Sequence, residues 1–502
     1  MKAMMKKAFK SARFIIIFGT LNKILTFIKE ALIASKIGCC FETDAYFTAF
    51  VAATLLAEII GEGISTGMVP ILLKIEEKEG SWRKVDYVNN LLHIIIILSM
   101  VLIILGWFLS PLVIKILATG FAGEEFQTTV NLMKIGLPIV IFITIRAVFI
   151  AYLQSFHAFK AGTKSWVYYN IVYLVFLIFL NRYGIYGLMI AGVLASAVQL
   201  YSVITPSMNL GYRYERILDL KNAYIQEFGI MFIPIIIGIS INRVNIVVDK
   251  SIASTLAPGS ISWLNYANDI IQLILGIFIT AIVTVLFPII SQEFSRENIE
   301  TLKSAMLRGT KIVLSIVIPA MVILVTLSEP IVRLLFERGE FGTTATLMTS
   351  GALTYYALGL GSMAMVLILT KVHYAMHDSL TPMISAGVGV ITNFVLNLIL
   401  SKYMGINGIA LATSISTTLV TILLIKDLNK RVKVIDIHRE GKRLIKLIVS
   451  AAIMAWVVII TFNILGKISL DNIIGDIMKV LIPIGTGIIT YLSIGKLTLK
   501  EN

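Results

Sequence analysis

Charged residues are scarce in this chain of 502 residues, where Asp, Glu, Lys and Arg together make up 14%. A soluble protein of this length would be about 25% charged. Hydrophobic residues make up 57%, and they fill whole stretches long enough for membrane-spanning helices of about 20 residues. The short alternating segments that a membrane β-barrel requires are lacking. The composition therefore predicts an all-α integral membrane protein.

Cysteine and the usual catalytic motifs are nearly absent as well. Cys39 and Cys40 are the only cysteines, and adjacent cysteines are not expected to form a structural bridge. His373 and His377 lie four residues apart without a third ligand nearby in the sequence, so we interpret them as polar residues of a short connection. No Gly-rich phosphate loop occurs, and no connection is long enough for a soluble domain. We therefore expect neither an enzyme nor a nucleic-acid partner, and we interpret the net charge of +14 as a topology signal.

The distribution of Lys and Arg predicts that both termini are cytoplasmic. With the N-terminus inside, most basic residues fall in cytoplasmic connections, and "KDLNKRVKVIDIHREGKRLIK" (426–446) alone supplies eight. The fourteen predicted membrane spans are 12–35, 45–73, 89–114, 128–155, 164–181, 184–207, 228–250, 262–290, 311–336, 344–370, 380–400, 404–426, 446–465 and 474–496.

An internal repeat divides the predicted spans. "YGIYGLMIAGVLASAVQL" (183–200) is similar to "MGINGIALATSISTTLV" (404–420), with Gly184 and Gly187 matching Gly405 and Gly408. Six spans return the chain to the same side, so the two copies are predicted to be parallel, with a site between them. The sequence thus predicts a six-helix lobe over 1–210, a second over 211–430, and two further helices over 431–502.

Charged and amide side chains interrupt several predicted spans, although each charge near the bilayer centre costs roughly 2.5–3.5 kcal/mol on insertion scales. Some of these amides could join helices by hydrogen bonds, and charges near span ends could snorkel. Together they favour a polar cavity that lines a transport route. The residues concerned are Lys23, Lys29 and Glu30 in span 1, Asp44, Glu58 and Glu62 in span 2, Asn242, Arg243, Asn245, Asp249 and Lys250 in span 7, Asn265, Asn268, Asp269 and Gln272 in span 8, and Asn393 and Asn397 in span 11.

Several stretches of the sequence are distinctive. They are "KEALIASKIGCCFETDAYFTAF" with "GEGISTGMVPIL", "VDKSIASTLAPGSISWLNYAN", and "VHYAMHDSLTPMISAGVGVITNFVLNLIL" with the later "GINGIALATS". These stretches resemble the MurJ (MviN) family of lipid II flippases, which belongs to the MOP transporter superfamily. The resemblance covers most of residues 15–425. It implies two six-helix lobes plus two C-terminal helices, in a bacterial cytoplasmic membrane.

The resemblance also implies a function. The protein would flip an undecaprenyl-diphosphate-linked peptidoglycan precursor, lipid II, from the cytoplasmic to the outer leaflet by alternating access, for cell-wall biosynthesis. Its partners would be this lipid-linked glycan, membrane lipids and other cell-wall synthesis proteins. No cofactor is implied beyond a sodium ion or coupling to the membrane potential.

The family's functional positions can be placed on this sequence. Its two basic positions in span 1 fall on Lys23 and Lys29, and its acidic position in span 2 falls on Asp44. A cation site described in the family falls on Asp249, Asn393, Asn397 and Thr413, which makes these residues the candidate sodium ligands.

Two positions depart from the family pattern. Ala57 and Glu58 stand where we expect Arg in span 2, and Asp269 stands where we expect Arg in span 8. Glu58, Glu62 and Asp269 are therefore added to the candidate substrate-binding residues. This acidic character keeps two alternatives open: a flippase for another polyprenyl-linked polysaccharide unit, and a cation-coupled multidrug or metabolite antiporter of the same fold.

Overall fold

The structure, a computed structural model, describes residues 2–179, 181–280, 282–283, 290, 294, 299–432, 437–467 and 473–499. Every regular element in these residues is helical, which confirms the predicted fold class. The helices are α1 (Lys2–Ile37), α2 (Phe41–Glu79), α3 (Arg83–Leu117), α4 (Gly123–Gly136), α5 (Ile139–Ser155), α6 (Phe159–Phe179), α7 (Gly184–Asn209), α8 (Ala223–Ala253), α9 (Ser260–Ile274), α10 (Ile299–Thr326), α11 (Ser328–Phe336), α12 (Thr343–Leu358), α13 (Leu360–Ala375), α14 (Leu380–Met404), α15 (Ile406–Val432), α16 (Ile437–Gly466) and α17 (Ile473–Leu499).

Many of these helices can cross a membrane. Within the described part of the chain, ten helical segments are long and apolar enough, and the bent pair α12–α13 adds an eleventh. α1 and α6 also coincide with predicted spans, although they are not among these segments. Each of the fourteen predicted spans falls on a helix or on two consecutive helices, and 262–290 extends partly outside the described residues.

The chain forms two compact units, Met1–Ser262 and Trp263–Asn502. The first unit contains α1 to α8. In the second unit, α14 packs along α15, and α16 packs along α17 and against α10. The division between the units falls later in the chain than residue 210, and the predicted lobe boundaries stay a prediction.

Small residues bring α8 close to α2 in the first unit. A Cβ atom on Gly63 would lie 2.8 Å from the ring of Phe232, and one on Gly67 would lie 3.2 Å from the ring of Phe228. Such a glycine pair, four residues apart, lets two membrane helices approach closely. The earlier glycine, Gly63, contacts the later phenylalanine, Phe232, so α2 and α8 are antiparallel. Arg243 is therefore carried toward the earlier part of α2.

Two breaks in the helices have local causes. Pro138 separates α4 from α5, because its ring cannot donate a helical hydrogen bond. α12 and α13 meet at Gly359 with a bend of 48°. A Cβ atom on Gly359 would lie 2.7 Å from Ser414 Cα, and the Ser414 hydroxyl donates to the carbonyl of Tyr355 at 2.7 Å. The bend therefore depends on a close approach by α15 that satisfies a carbonyl at the break.

Backbone conformation supports the internal repeat. The matched glycines Gly184 and Gly405 both have a φ of +57°, a region that glycine adopts far more readily than other residues. Among the described residues other than glycine, positive φ occurs at His157 (56°) and His377 (60°), which lie 220 positions apart. The spacing of the two glycines is 221 positions, and such closely similar spacings in two independent pairs are what two copies of one helical unit would produce.

Candidate functional site

Lys29 lies where α1 meets α2 and α6. Its ammonium pairs with the Glu30 carboxylate at 2.7 Å, and it sits 4.8 Å from the centroid of the Tyr173 ring. The Tyr173 hydroxyl lies 3.2 Å from that of Tyr46 on α2. Both members of the ion pair are largely buried, with side-chain exposures of 12% and 9%. A buried ion pair is strongly destabilised when one partner is removed, so Lys29 is part of the packing as well as a candidate substrate ligand.

Two other cations in the first unit have no carboxylate partner among the described residues. Lys23 is half-buried on α1. Arg146 on α5 is half-buried, stands 5.1 Å over the Trp166 ring, and has a buried Nε without a hydrogen-bond partner. Asn170, one turn beyond Trp166, donates to Asn22 at 2.7 Å, which joins α6 to the turn of α1 that carries Lys23. Cations held in this way are available to an incoming anion.

Arg146 was missed by the sequence analysis. It is a single charge inside the apolar run of α5, and it belongs to none of the motifs that carry the resemblance. Its position in an otherwise uncharged membrane helix was the available signal, because such charges usually face a bundle interior or a wet cavity.

Arg243 neutralises the acidic stripe of α2. Its Nη1 lies 3.1 Å from Glu58 Oε2 and its Nη2 lies 3.6 Å from Glu62 Oε2. All three side chains are partly exposed, at 31%, 38% and 55%. Span 2 lacks the expected arginine, but Arg243 of α8 places a guanidinium group beside that position. The sequence alone placed Arg243 on a different helix and gave no register between the two.

Charged residues on α1, α2, α5 and α8 of the first unit make up a set that we call the N-unit cluster. It contains the cations Lys23, Lys29, Arg146 and Arg243 and the carboxylates Glu30, Glu58 and Glu62. Four cations against three carboxylates give a formal charge of +1. Two of the cations are held by carboxylates and two are not, so the cluster can accept phosphate oxygens or exchange partners with them.

Asp44 plays a structural part at the start of α2. Its Oδ2 accepts from the backbone amide of Gly259 at 2.7 Å, and its Oδ1 accepts from the amide and hydroxyl of Ser262 at 2.7 and 2.5 Å. The residue is 2% exposed. Its carboxylate therefore joins α2 to the start of α9. The assignment of Asp44 to substrate binding stays a prediction.

A second contact holds the same end of the first unit together. The Thr119 hydroxyl donates to the carbonyl of Ser251 at 3.2 Å, and the amide of Gly120 donates to the hydroxyl of Ser254 at 3.0 Å. A Cβ atom on Gly120 would lie 2.5 Å from the carbonyl carbon of Ser254 and 2.6 Å from Thr255 Cα. We call this contact and that of Asp44 the outer clasp, since both lie on the external side in the predicted orientation.

The polar stripe predicted on α9 is the more exposed face of that helix. Asn265, Asn268 and Asp269 are half-buried, whereas Tyr266 and Ala267 are fully buried. The Asn265 amide donates to Asp269 Oδ2 at 3.2 Å. The stripe continues into a π-helical turn over Leu275–Ile279, a feature that is frequent at functional sites. This arrangement is consistent with Asp269 as a candidate substrate ligand, a role that stays a prediction.

Three of the four candidate sodium ligands meet in the second unit. Asn397 donates to Asn393 Oδ1 at 2.9 Å, and Asn393 donates to the hydroxyl of Thr413 at 3.3 Å. Both asparagines are buried. The fourth candidate, Asp249, is half-buried on α8 in the first unit. Side-chain amide and hydroxyl oxygens are ligands that a hard cation accepts, so the residue types fit sodium.

An ion-pair network that the sequence did not suggest lies near His373. The imidazole is fully buried, and its Nε2 lies 3.4 Å from Asp427 Oδ2. Arg431 pairs with Asp427 and Asp378, both at 2.8 Å. The ligand atoms of His373, Asp378 and Asp427 lie within 4.8 Å of one another, but the arginine already binds both carboxylates. The network therefore ties the turn after α13 to the end of α15.

Asp378 gives this network a measurable pH dependence. Burial acts to raise the pKa of Asp378, but hydrogen bonds from Thr381 and the charge of Arg431 outweigh it and hold the pKa below its usual range. A depressed carboxyl pKa stabilises the fold above the ordinary Asp value of about 3.9, and this stabilisation is lost as the pH falls through the folded pKa. Its carboxylate also caps α14 by accepting from the amides of Leu380 and Thr381, both at 3.0 Å.

We expect Asp378→Asn to lower the melting temperature of the purified protein at pH 7, because it keeps the cap and removes the ion pair. Asp378→Ala removes both and should lower it further, since a lost cap costs about 1 kcal/mol. The deficit of Asp378→Asn should shrink as the pH falls below about 4. Equal melting temperatures for Asp378→Asn and the parent at pH 7 would contradict a stabilising ion pair.

Comparison with known proteins agrees with this architecture. A family model described as "Lipid II flippase MurJ" matches residues 33–470. The probable lipid II flippase MurJ of Buchnera aphidicola subsp. Acyrthosiphon pisum is 28% identical over 482 residues, which cover 94% of each chain. The lipid II flippase MurJ of Burkholderia cenocepacia is 24% identical over 425 residues, covering 82% of each.

Solved structures show the same fold. The structure titled "Lipid II flippase MurJ, inward closed conformation" superposes with a TM-score of 0.81 at 26% identity, covering 97% of this chain and 99% of the other. An inward-facing multidrug resistance MATE family transporter of the MOP superfamily superposes with a TM-score of 0.72 at 14% identity, which is a likeness of fold alone. Since the family model spans most of the chain, this multi-pass membrane protein belongs to the MurJ family of lipid II flippases.

Proposed function

We propose that the chain carries lipid II from the cytoplasmic to the outer leaflet of a bacterial cytoplasmic membrane, without catalysing a chemical step. The N-unit cluster is the observation that carries this proposal. A diphosphate headgroup needs several cations at once, and arginine binds phosphate oxygens in pairs. Arg243 supplies a guanidinium group beside the position in span 2 where the family pattern has arginine, and Arg146 supplies a second guanidinium group in the same unit.

The pairing of Arg243 also bears on the alternative functions. An antiporter for organic cations would need free carboxylates in its route, yet Glu58 and Glu62 are engaged by Arg243. Their charge therefore holds the arginine in place and does not leave an acidic surface for a cation. A flippase for another polyprenyl-linked glycan would use the same phosphate-binding cations, and the sugar specificity separates the two cargoes.

Alternating access supplies the transport step. In this proposal the outer clasp keeps the external side of the first unit closed while the headgroup enters from the cytoplasm. Release to the outer leaflet then requires the Asp44 and Gly120 contacts to separate. Hydrogen bonds contribute about 1 kcal/mol each on balance, so a clasp of this kind can be opened and closed repeatedly.

The experiment that tests the cargo is complementation. The resident lipid II flippase of a suitable bacterium is depleted, this chain is expressed, and lipid II on the outer leaflet is measured. Growth with lipid II exposed supports the proposal. Correct membrane insertion without exposed lipid II would assign the chain to a different polyprenyl-linked glycan.

Lys23→Ala should reduce flipping about 10- to 100-fold, because a hydrogen bond to a charged group contributes about 1.5–3 kcal/mol. Lys23 has no carboxylate partner in the described part of the chain, so its removal should leave expression and melting temperature unchanged. Lys36→Ala, which removes an exposed lysine from the same helix, is the matched control. Full activity of Lys23→Ala would exclude Lys23 from headgroup binding.

We further propose that transport is coupled to sodium, with Asn393, Asn397 and Thr413 as oxygen ligands in the second unit and with Asp249, which the resemblance adds to this set, as the coupling carboxylate. Asp249→Asn removes the only formal negative charge of this set. It should therefore flatten the dependence of lipid II flipping on the sodium gradient in vesicles, while binding of lipid II at fixed sodium persists. An unchanged sodium dependence in Asp249→Asn would place the coupling ion elsewhere.

A further inference from the structure

A cavity of about 700 Å³ lies between the ends of two neighbouring helices of the first unit, and none of its lining residues belongs to the N-unit cluster. Its walls come from the start of α6, the later part of α7, and the turn before α6. The side chains that give it chemical character are His157, Lys160, Lys164, Tyr168, Tyr201 and Thr205. No acidic side chain of the described residues lines it, so the cavity is electropositive.

The two lysines are available to a ligand. Lys160 and Lys164 are exposed, and their ammonium groups lie 5.2 and 5.6 Å from the centroid of the Phe14 ring on α1. Neither pairs with a carboxylate in the part of the chain that the structure describes. Five further basic residues precede Phe14 in the sequence, which adds positive charge at this end of α1.

An apolar groove continues from the cavity along the same two helices. On α6, Ile171, Val175 and Ile178 are exposed by 42%, 47% and 59%. On α7, Leu194 and Ile190 are exposed by 55% and 49%. The spacing of three and four residues places each set on one helix face. The opposite face of α6 is buried against α1, so this exposed face is the one open to lipid.

The dimensions of the groove match one leaflet. From Tyr168 to Ile178, where the apolar part of the groove lies, a helix rises about 15 Å, at 1.5 Å per residue. Half of a hydrocarbon core of about 30 Å is about 15 Å. Tyr168 and Tyr201 lie between the charged end and the apolar ridges, where tyrosines are enriched at membrane interfaces. In the predicted orientation, the cavity opens at the cytoplasmic leaflet.

We propose that this cavity and groove bind one anionic glycerophospholipid of the cytoplasmic leaflet. Lys160 and Lys164 hold the phosphate, the tyrosine hydroxyls contact the glycerol region, and an acyl chain lies between the ridges of α6 and α7. Charge complementarity selects an anionic headgroup over a zwitterionic one. The site is separate from the transport route and does not depend on the identity of the cargo.

The test uses the full-length, delipidated protein and native mass spectrometry with phosphatidylglycerol and phosphatidylcholine as probes. We expect one phosphatidylglycerol to bind at least ten times more tightly than phosphatidylcholine. Lys160→Gln/Lys164→Gln should abolish that preference, while Lys160→Arg/Lys164→Arg should retain it. Lys78→Gln/Lys221→Gln, which removes the same charge from exposed lysines elsewhere, is the matched control and should also retain it.

Other probes separate the possible sources of the phosphate. Glycerol 1-phosphate should bind at least ten times more weakly than phosphatidylglycerol, because it cannot fill the groove. Equal binding of the two phospholipids, or equal losses in the test and control variants, would overturn the proposal in favour of unspecific charge attraction. Undecaprenyl phosphate binding ten times more tightly than phosphatidylglycerol would overturn it in favour of a polyprenyl site.

Discussion

Gly120→Ala should reduce lipid II flipping at least ten-fold, because the added methyl group would stand 2.5 Å from the carbonyl carbon of Ser254 and 2.6 Å from Thr255 Cα. Both neighbours are backbone atoms, so no side-chain rotation can make room. The turn after α3 must then move away from the end of α8, and the amide of Gly120 loses its bond to the Ser254 hydroxyl. The variant should insert normally, since the change affects a connection between helices and not their apolar faces.

The native cysteines report whether the outer clasp has opened. Burial, helped by the negative charge of Asp44, raises the pKa of the Cys39 thiol, which makes it slow to react with maleimides. In a Cys40→Ser background, Gly120→Ala should label at Cys39 faster than the parent with a membrane-impermeant maleimide added from outside. The same result would support the predicted external position of the connection between α1 and α2.

Gly229→Ala is the matched control for this experiment. Gly229 lies on α8, and a Cβ atom there would meet nothing within 4 Å. It should therefore leave flipping and Cys39 labelling unchanged. Full flipping activity in Gly120→Ala, together with slow Cys39 labelling, would show that the close approach of the two turns is not needed for transport.

The helices and the polar spans could be predicted from the sequence, whereas the pairings between them could not. Apolar length and Lys/Arg distribution locate helices without reference to neighbours, and each of the fourteen predicted spans falls on a helix or helix pair. Which charges meet depends on helix register, which a hydropathy pattern does not encode. In span 1, for example, the pattern does not show that Lys29 pairs with Glu30 while Lys23 has no carboxylate partner among the described residues.

The missing arginines illustrate the same limit. Reading span 2 by itself, Glu58 stood where a cation was expected, and the stripe looked acidic. The close approach of α8 over Gly63 and Gly67 brings Arg243 to that stripe. A residue of another helix can thus supply the positive charge at the same place in the fold, although the charge comes from a different position in the sequence. Asp44 shows the converse, because its carboxylate is already taken up by the amides of Gly259 and Ser262.

Arg243→Gln should reduce flipping about 100-fold, and the reason for the loss can be separated into two contributions. Arg243 pairs with Glu58 and Glu62, so its removal leaves two carboxylates without an ion-pair partner among the described residues. In our proposal the same guanidinium then turns to the diphosphate, where its two nitrogens bind paired oxygens. Arg243→Lys keeps the charge without the fork and should retain only part of the activity.

The triple variant Arg243→Gln/Glu58→Gln/Glu62→Gln separates these contributions. If Arg243 only neutralises the carboxylates, the triple variant should regain parental flipping. If it binds the diphosphate, the triple variant should stay as inactive as Arg243→Gln. We expect the second result, and we expect Glu58→Gln/Glu62→Gln with Arg243 intact to bind lipid II more tightly but release it more slowly. In that case Glu58 and Glu62 compete with the diphosphate for the Arg243 guanidinium and speed the release of the headgroup. Without this competition, the headgroup leaves the site more slowly.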